Sequence, residues 1–403
     1  MIKKIYHQRK LNVKLIIVNI IKLLKFLERS IIEVSGLYSP TYRNSLIGED
    51  ASIKDALVAI TKSGSHMACI VDSHGRLVAL LTDSDIRRAL LINAELSSPA
   101  LQYGKRTPVT AKLSDSRHEL MTLAKRHEVR EIPIIDDESR VADIFSVINK
   151  EIKVPESSGE IIARHPDPID NPMFILAGGK GTRLRSVVNQ VPKPLAKVGN
   201  TPIIETLIRS AAKEGVTNFI VSVNYMSDHI EKHIANPIYK NLNITTIKET
   251  KPLGTAGSLS YISNMFENDV IVTNADVLTN ASFRNIVQYH KSENADFTCC
   301  VRSHNTDIAF GVMEISNGQI TAIREKPSIK HFVNAGIYVI AQEIIATIPE
   351  EDYLDMNTLI EDSIRLESKV IPFLLHEYWT DIGCPEDYTK ANREYSRYFE
   401  ENT

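Results

Sequence analysis

Residues 174–185 read FILAGGKGTRLR, and this stretch decides the fold of everything that follows it. Phe174, Ile175 and Leu176 are an apolar run of the length of a buried strand. Ala177 leads into Gly178, Gly179 and Gly181, which permit a tight turn and let backbone come close to a ligand. Thr182, Arg183 and Arg185 then place hydroxyl and guanidinium donors just past the turn. A strand, a glycine turn and an arginine suit phosphate oxygens, because free backbone N–H groups and a planar cation both bind them. No Gly-Lys-Ser/Thr closes the turn, so it is not a P-loop, and its glycine spacing is not that of a dinucleotide fingerprint. Alone, the stretch also fits a plain strand-to-loop turn with a surface arginine.

The chain of 403 residues is long enough for two or more domains. With 43% hydrophobic and 24% charged residues it has the composition of an ordinary soluble protein. A formal net charge of −3 gives no reason to expect nucleic acid as a partner. Cys69, Cys299, Cys300 and Cys384 form neither a metal spacing nor a disulfide framework, so a reducing, cytoplasmic setting is expected. Within residues 1–40, read as an N-terminal helical extension, Leu15–Leu27 is apolar but broken by Asn19, Lys22 and Lys25. Its uninterrupted run falls short of the ~20 residues that span a bilayer, so no transmembrane segment is expected. Neither the apolar core nor the cleavage site of a signal peptide is evident.

An internal repeat with an offset of 64 residues follows. Ile53–Ile60, Ala68–Asp72 and Arg76–Leu81 are matched by Leu120–Ala124, Ile132–Asp136 and Arg140–Phe145, each copy reading as a helix and two strands. The pattern resembles a tandem CBS-domain pair, a small α+β unit over residues 41–155. The first copy carries Thr82-Asp-Ser-Asp85. The resemblance implies that Thr82 and Asp85 hold the ribose of an adenine nucleotide. The second copy has Ser146 and Asn149 at the aligned positions, so a structural or oligomerising role stands beside nucleotide sensing. Pro, Ser, Gly and charged residues then mark a linker over 156–171.

From residue 172 to 403, strand-like runs alternate with helical ones. The spacing predicts a helix over Pro202–Glu214, a strand over Phe219–Val223, a helical stretch over Leu259–Phe266 and a strand over Val270–Thr273. Ala309–Ile315 and Gln319–Arg324, joined across Asn317-Gly318, read as a β-hairpin, and Ile337–Ile340 as a further strand. The fold class expected is α/β, a Rossmann-like, doubly wound, mostly parallel sheet with ligands at the carboxyl ends of its strands.

Beyond the glycine loop come Pro192-Lys193-Pro194, Lys251-Pro-Leu-Gly254-Thr255-Ala-Gly257, Asn274-Ala-Asp276, Glu325-Lys326-Pro327, Asn334-Ala-Gly336 and Trp379-Thr-Asp381-Ile-Gly383. Singly, each fits a turn, a helix cap or a surface ion pair. In this order they resemble the sugar-1-phosphate nucleotidylyltransferases, and among those the mannose-1-phosphate guanylyltransferases. The resemblance implies a nucleotidyltransferase fold in which Arg183 and Lys193 clamp phosphate oxygens and Asp276 and Asp381 hold Mg²⁺. It also implies nucleotide contacts from Leu176, Ala177, Gly178, Gly179, Gly181, Thr182, Gly254, Thr255 and Asn274. The sugar phosphate would meet Glu325, Lys326, Asn334 and Gly336. The expected reaction joins an NTP, GTP first, to a glucosamine-, mannose- or heptose-type sugar 1-phosphate for surface-glycan synthesis, in a homo-oligomer. Thymidylyl or uridylyl transfer to glucose 1-phosphate is the near alternative. A catalytically inactive nucleotide-sensing protein is the distant one.

Overall fold

The computed structural model describes residues 42–127, 129–147, 161, 167–184, 188, 191–263 and 265–399. The helix expected within residues 1–40, Asn149 and Arg185 lie outside the described residues. The chain divides into two compact units, residues 1–149 and 150–403.

In the first unit, β1 (Leu46–Gly48), β2 (Met67–Val71) and β3 (Leu77–Thr82) form a sheet in that order, with β1 parallel and β3 antiparallel to β2. β4 (Ala111–Lys112), β5 (Glu131–Ile135) and β6 (Val141–Ser146) repeat the order and the strand directions. Helices Ile53–Ser63, Asp83–Leu91 and Arg117–Arg126 all begin on a capping box, made by Ser52 with Asp55, Thr82 with Asp85 and Ser116 with Glu119. The copies share core: Met67, Cys69 and Leu80 of the first pack with Val141 and Ile144 of the second. Such sharing is what a repeat too small to bury its own apolar face requires.

In the second unit the seven-stranded sheet is built from β7 (Met173–Leu176), β10 (Asn218–Val223), β11 (Asn243–Lys248), β12 (Val270–Asn274), β14 (Phe297–Asp307), β17 (Ser328–Ile340) and β18 (Val370–Leu375). Its order is β11-β10-β7-β12-β17-β14-β18. Smaller pairs are β8 (Lys197–Val198) with β9 (Thr201–Pro202), β13 (Val277–Thr279) with β19 (Trp379–Asp381), and the hairpin β15 (Val312–Ser316) with β16 (Gln319–Arg324). The sheet is mostly parallel; β17 alone runs against its neighbours β12 and β14. Both faces are covered. Ile175, Val221 and Ile271 point into one core, while Phe174, Ile220 and Val272 point into the other. The adjacent cysteines obey the same alternation, Cys300 in the first core and Cys299 against the second.

From β7 the chain proceeds to β10 and β11 on one side, then returns to add β12 on the other. A crevice opens at the carboxyl end of such a pair because the connections leave in opposite directions. Leu176 and Asn274 are paired across β7 and β12 at that end.

Three local expectations need correction. The helical stretch over Leu259–Phe266 is a 3-10 helix over Gly257–Ile262, held by packing of Leu259 and Ile262 rather than by α-helical periodicity. The first hairpin strand starts at Val312, not Ala309. Ile337–Ile340 is only the buried end of the thirteen-residue β17, which already contains Asn334. Among the described residues no helix is long and apolar enough to cross a membrane.

Candidate active site

The glycine loop is pinned at its start by two ladder-like bonds. Ala177 N–H donates to Ser222 O on β10 at 2.9 Å, and Ala275 N–H donates to Leu176 O at 3.0 Å. Gly181 then turns with φ +55°, and a methyl group there would lie 2.9 Å from Lys193 Cβ. Glycine is thus required both by backbone conformation and by close approach. Beyond it Thr182–Leu184 form one 3-10 turn anchored by the buried Leu184, which leaves Arg183 free to face outward. Lys193 starts a second 3-10 turn whose entry is set by Pro192 and whose buried Pro194 fixes it below. A cleft of about 240 Å³ is lined by Leu176, Ala177, Gly179, Gly181, Thr182, Arg183, Lys193 and Asp276, with Pro194, Ala275 and Gly383.

Two carboxylates remote in sequence meet here because β13 pairs with β19. Val277 lies opposite Asp381, and Ile382 N–H donates to Asp276 O at 3.1 Å. Lys193 Nζ forms an ion pair with Asp276 Oδ2 and stands 3.8 Å from Asp381 Oδ1. Asp381 is half-exposed. Withdrawal from water on its cleft side, and next the charge of Asp276, push its carboxyl above the usual range, against the pull of Lys193 and Arg183. Gly383 adjoins this corner: a methyl there would make ordinary contacts with Asp381 Oδ2 at 3.6 Å, Asp387 Oδ2 at 3.7 Å and Arg183 Nη1 at 3.9 Å.

The pair fits a hard divalent cation. Asp276 Oδ1 is buried with no hydrogen-bond partner, which is costly unless something positive meets it. Two carboxylates share one lysine, with the Arg183 guanidinium at the edge of the same corner. Among the described residues no group of three or more His, Cys, Asp or Glu side chains gathers for a metal. The protein would therefore supply two oxygen donors, a number that suits an ion completed by phosphate and water.

The remaining expected residues fall around the cleft unevenly. Gly178 faces away from Lys193: a methyl there would lie 2.9 Å from Glu249 Oε1. Glu249 is a buried carboxylate just past β11, accepting from Ser222 Oγ at 2.7 Å. In the sequence it is only a lone carboxylate after a strand, outside the motif that begins at Lys251. Asn274 and Gly336 are together, a methyl on Gly336 falling 2.6 Å from Asn274 Nδ2, and Asn334 Oδ1 accepts from Gly336 N–H at 3.0 Å. Trp379 joins this edge through its indole N–H, which donates to Ala335 O at 2.8 Å.

Gly254 and Thr255 serve a different neighbour. A methyl on Gly254 would lie 2.5 Å from Leu354 O, and Thr255 Oγ1 accepts from Met356 N–H at 2.7 Å, capping the helix Met356–Arg365 rather than the turn that follows Thr255 in sequence. Glu325 and Lys326 are exposed between β16 and β17, and neither lines the cleft. In the first unit Thr82 and Asp85 are occupied with each other: Thr82 Oγ1 donates to Asp85 Oδ2 at 2.6 Å, while Arg88 Nη2 donates to Asp85 Oδ1 at 2.7 Å.

Residues 173–397 match the nucleotidyl transferase family model, and residues 44–92 match that of the CBS domain. D-glycero-alpha-D-manno-heptose 1-phosphate guanylyltransferase of Aneurinibacillus thermoaerophilus is 30% identical over 56% of this chain and 98% of its own length. Mannose-1-phosphate guanyltransferase beta-A of Xenopus laevis is 32% identical over 53% of this chain and 62% of its own, so the chain spans about three fifths of that relative. The solved structure of HddC from Yersinia pseudotuberculosis is similar with a TM-score of 0.45 and 27% identity, covering 56% of this chain and 99% of that one.

Proposed function

The chain belongs to the nucleotidyl transferase family, and on that premise we propose that it transfers a guanylyl group from GTP to a sugar 1-phosphate of the mannose or heptose type, releasing pyrophosphate. The observation that carries the reading is the corner where Lys193, Asp276 and Asp381 meet beside Arg183 at the carboxyl ends of β7 and β12. The names of the heptose and mannose guanylyltransferase relatives support the choice of base and sugar class.

A phosphate oxygen of the sugar 1-phosphate attacks the α-phosphorus of GTP; the new P–O bond forms as the bond to the β-phosphate oxygen breaks, and pyrophosphate leaves with that electron pair. The nucleophile is already ionised near neutral pH, so no side chain has to take a proton. The work of the protein is alignment and charge neutralisation. Arg183 and Lys193 would hold phosphate oxygens, the former as a planar fork and the latter as a point charge. Asp276 and Asp381 would hold Mg²⁺, which neutralises phosphate charge when bound. Glu249, which accepts from Ser222 Oγ at 2.7 Å and Leu253 N–H at 3.4 Å behind Gly178, keeps further lone pairs that would suit guanine, since a carboxylate can accept from both the ring N–H and the exocyclic amine of that base. Thymine offers no such pair of donors.

Pyrophosphate release across the common NTPs and several sugar 1-phosphates tests the reading. GTP with mannose or heptose 1-phosphate should turn over fastest, and Glu249→Gln should narrow the preference for GTP over dTTP. Absence of pyrophosphate with every pair would overturn it. The described cysteines are all free thiols, which supports a cytoplasmic site of action, where both substrates would be met.

A further inference from the structure

We propose that His304 and His331 form a binding site for a borderline transition-metal dication of the Zn²⁺ class, which clips β14 to β17. The two residues lie directly opposite each other in an unbroken antiparallel register that runs from Val301 with Asn334 to Asp307 with Ser328. Directly opposed residues share one face, with Cβ atoms about 4.5–5.5 Å apart. Two imidazoles at that spacing can converge on one ion that sits about 2 Å from a nitrogen of each. Both side chains are exposed, and among the described residues neither has a hydrogen-bond or ion-pair partner. The neighbouring cations are directed elsewhere. Lys330 alternates to the opposite face and stands 5.0 Å over the Phe332 ring. Arg302, two residues before His304, donates from its guanidinium to Leu375 O at 3.3 Å and to Glu377 O.

The ribbon that carries the pair gains from a clip. β18 pairs with β14 only as far as Arg302, and β12 pairs with β17 only as far as Ile337. Residues 303–307 and 328–332 therefore pair with each other alone, and a two-stranded ribbon is marginal in water. An ion held by both strands binds only their paired form and so stabilises it. The donor set also separates this site from the corner of Asp276 and Asp381. Two ring nitrogens suit Zn²⁺, Ni²⁺ or Cu²⁺, whereas two carboxylate oxygens suit a hard ion such as Mg²⁺. No third His, Cys, Asp or Glu joins the pair among the described residues, so water or a small anion fills the other positions. The clip lies three residue pairs, about 10 Å, along the strands from Asn334, and it steadies the strand that carries that residue.

Calorimetric titration of the full-length chain with Zn²⁺, in excess Mg²⁺ to occupy the carboxylate corner, tests the proposal together with hydrogen exchange at residues 302–307 and 328–333. The wild type should bind Zn²⁺, and exchange should slow in both strands of the ribbon. His304→Ala and His331→Ala should each weaken that binding by on the order of 10²-fold, because one donor of a preorganised pair is lost. His331→Gln, which keeps a polar side chain on the strand, guards against loss of pairing in the alanine variants and should weaken binding to the same degree. His74→Ala, which removes an exposed histidine of the first unit, should leave the ribbon's response unchanged. A wild type that does not bind Zn²⁺, an affinity unaltered by the His304 and His331 substitutions, or bound Zn²⁺ that leaves exchange in the ribbon as it was would overturn the proposal.

Discussion

The capping box of Thr82 and Asp85 and the corner of Lys193, Asp276 and Asp381 are both small clusters of polar side chains at strand ends, yet they differ in how completely they satisfy themselves. In the first, each oxygen has a partner: Asp85 receives Thr82 N–H, Thr82 Oγ1 and Arg88, and Thr82 Oγ1 caps the helix. In the second, one buried carboxylate oxygen has none, and Asp381 is held near a like charge. A satisfied cluster spends its hydrogen-bonding capacity on the fold. An unsatisfied one retains it for a ligand, and that asymmetry separates the two better than residue type does, because both contain aspartate.

The largest expected effect probes the unsatisfied corner. Asp276→Asn or Asp381→Asn should each lower turnover by on the order of 10²-fold or more, read as pyrophosphate release. Near-normal release by either variant would sink the metal assignment. Next in size is a buried carboxyl of the first unit. Burial pushes the Glu131 carboxyl up to about 7, although it accepts from His66 N–H at 2.8 Å. A carboxyl raised in the folded state favours folding while protonated, so its contribution is complete below about pH 4.5 and is lost as pH rises through 7. The loss should be about 2 kcal/mol after allowance for its partial exposure. Glu131→Gln should flatten that part of the urea-unfolding pH profile; an unchanged slope would show that the carboxyl is already ionised.

Lys193→Gln removes the internal cation that the two carboxylates share. Besides impairing turnover, it should tighten nucleotide-free Mn²⁺ binding by about tenfold, as measured by electron paramagnetic resonance of the free ion. Weaker binding would mean that the lysine organises the site rather than competing for it. Smallest is Thr82→Ala, which should cost about 1 kcal/mol in thermal or urea unfolding through loss of the cap and leave pyrophosphate release unchanged. If it instead left stability intact and abolished binding of added AMP or ATP, the contrast between the two clusters would break.

Much of the corner was legible in the chain because its parts are short strings with their own turn chemistry. Gly181, Lys193 between prolines and Asp276 after an apolar run each carry a local reason for being where they are. What was not legible depends on partners distant in sequence. Thr255 looks like a cap for the turn beside it, but it caps Met356–Arg365, which tertiary packing brings alongside. The reversed direction of β17 cannot be read from alternation, which is the same for parallel and antiparallel strands. Glu249 gave no periodic signal because one carboxylate after a strand is common on surfaces; only Ser222 and the glycine loop above it make it a buried one.

The chain contains a single tryptophan, Trp379. Its half-buried indole sits two residues before Asp381, tethered to the backbone next to Gly336. The whole tryptophan emission of the protein therefore originates at the rim of one site. A label-free fluorescence titration should report occupancy of the corner directly, and quenching by iodide or acrylamide with and without added nucleotide would reveal whether the β19 edge closes over what binds there.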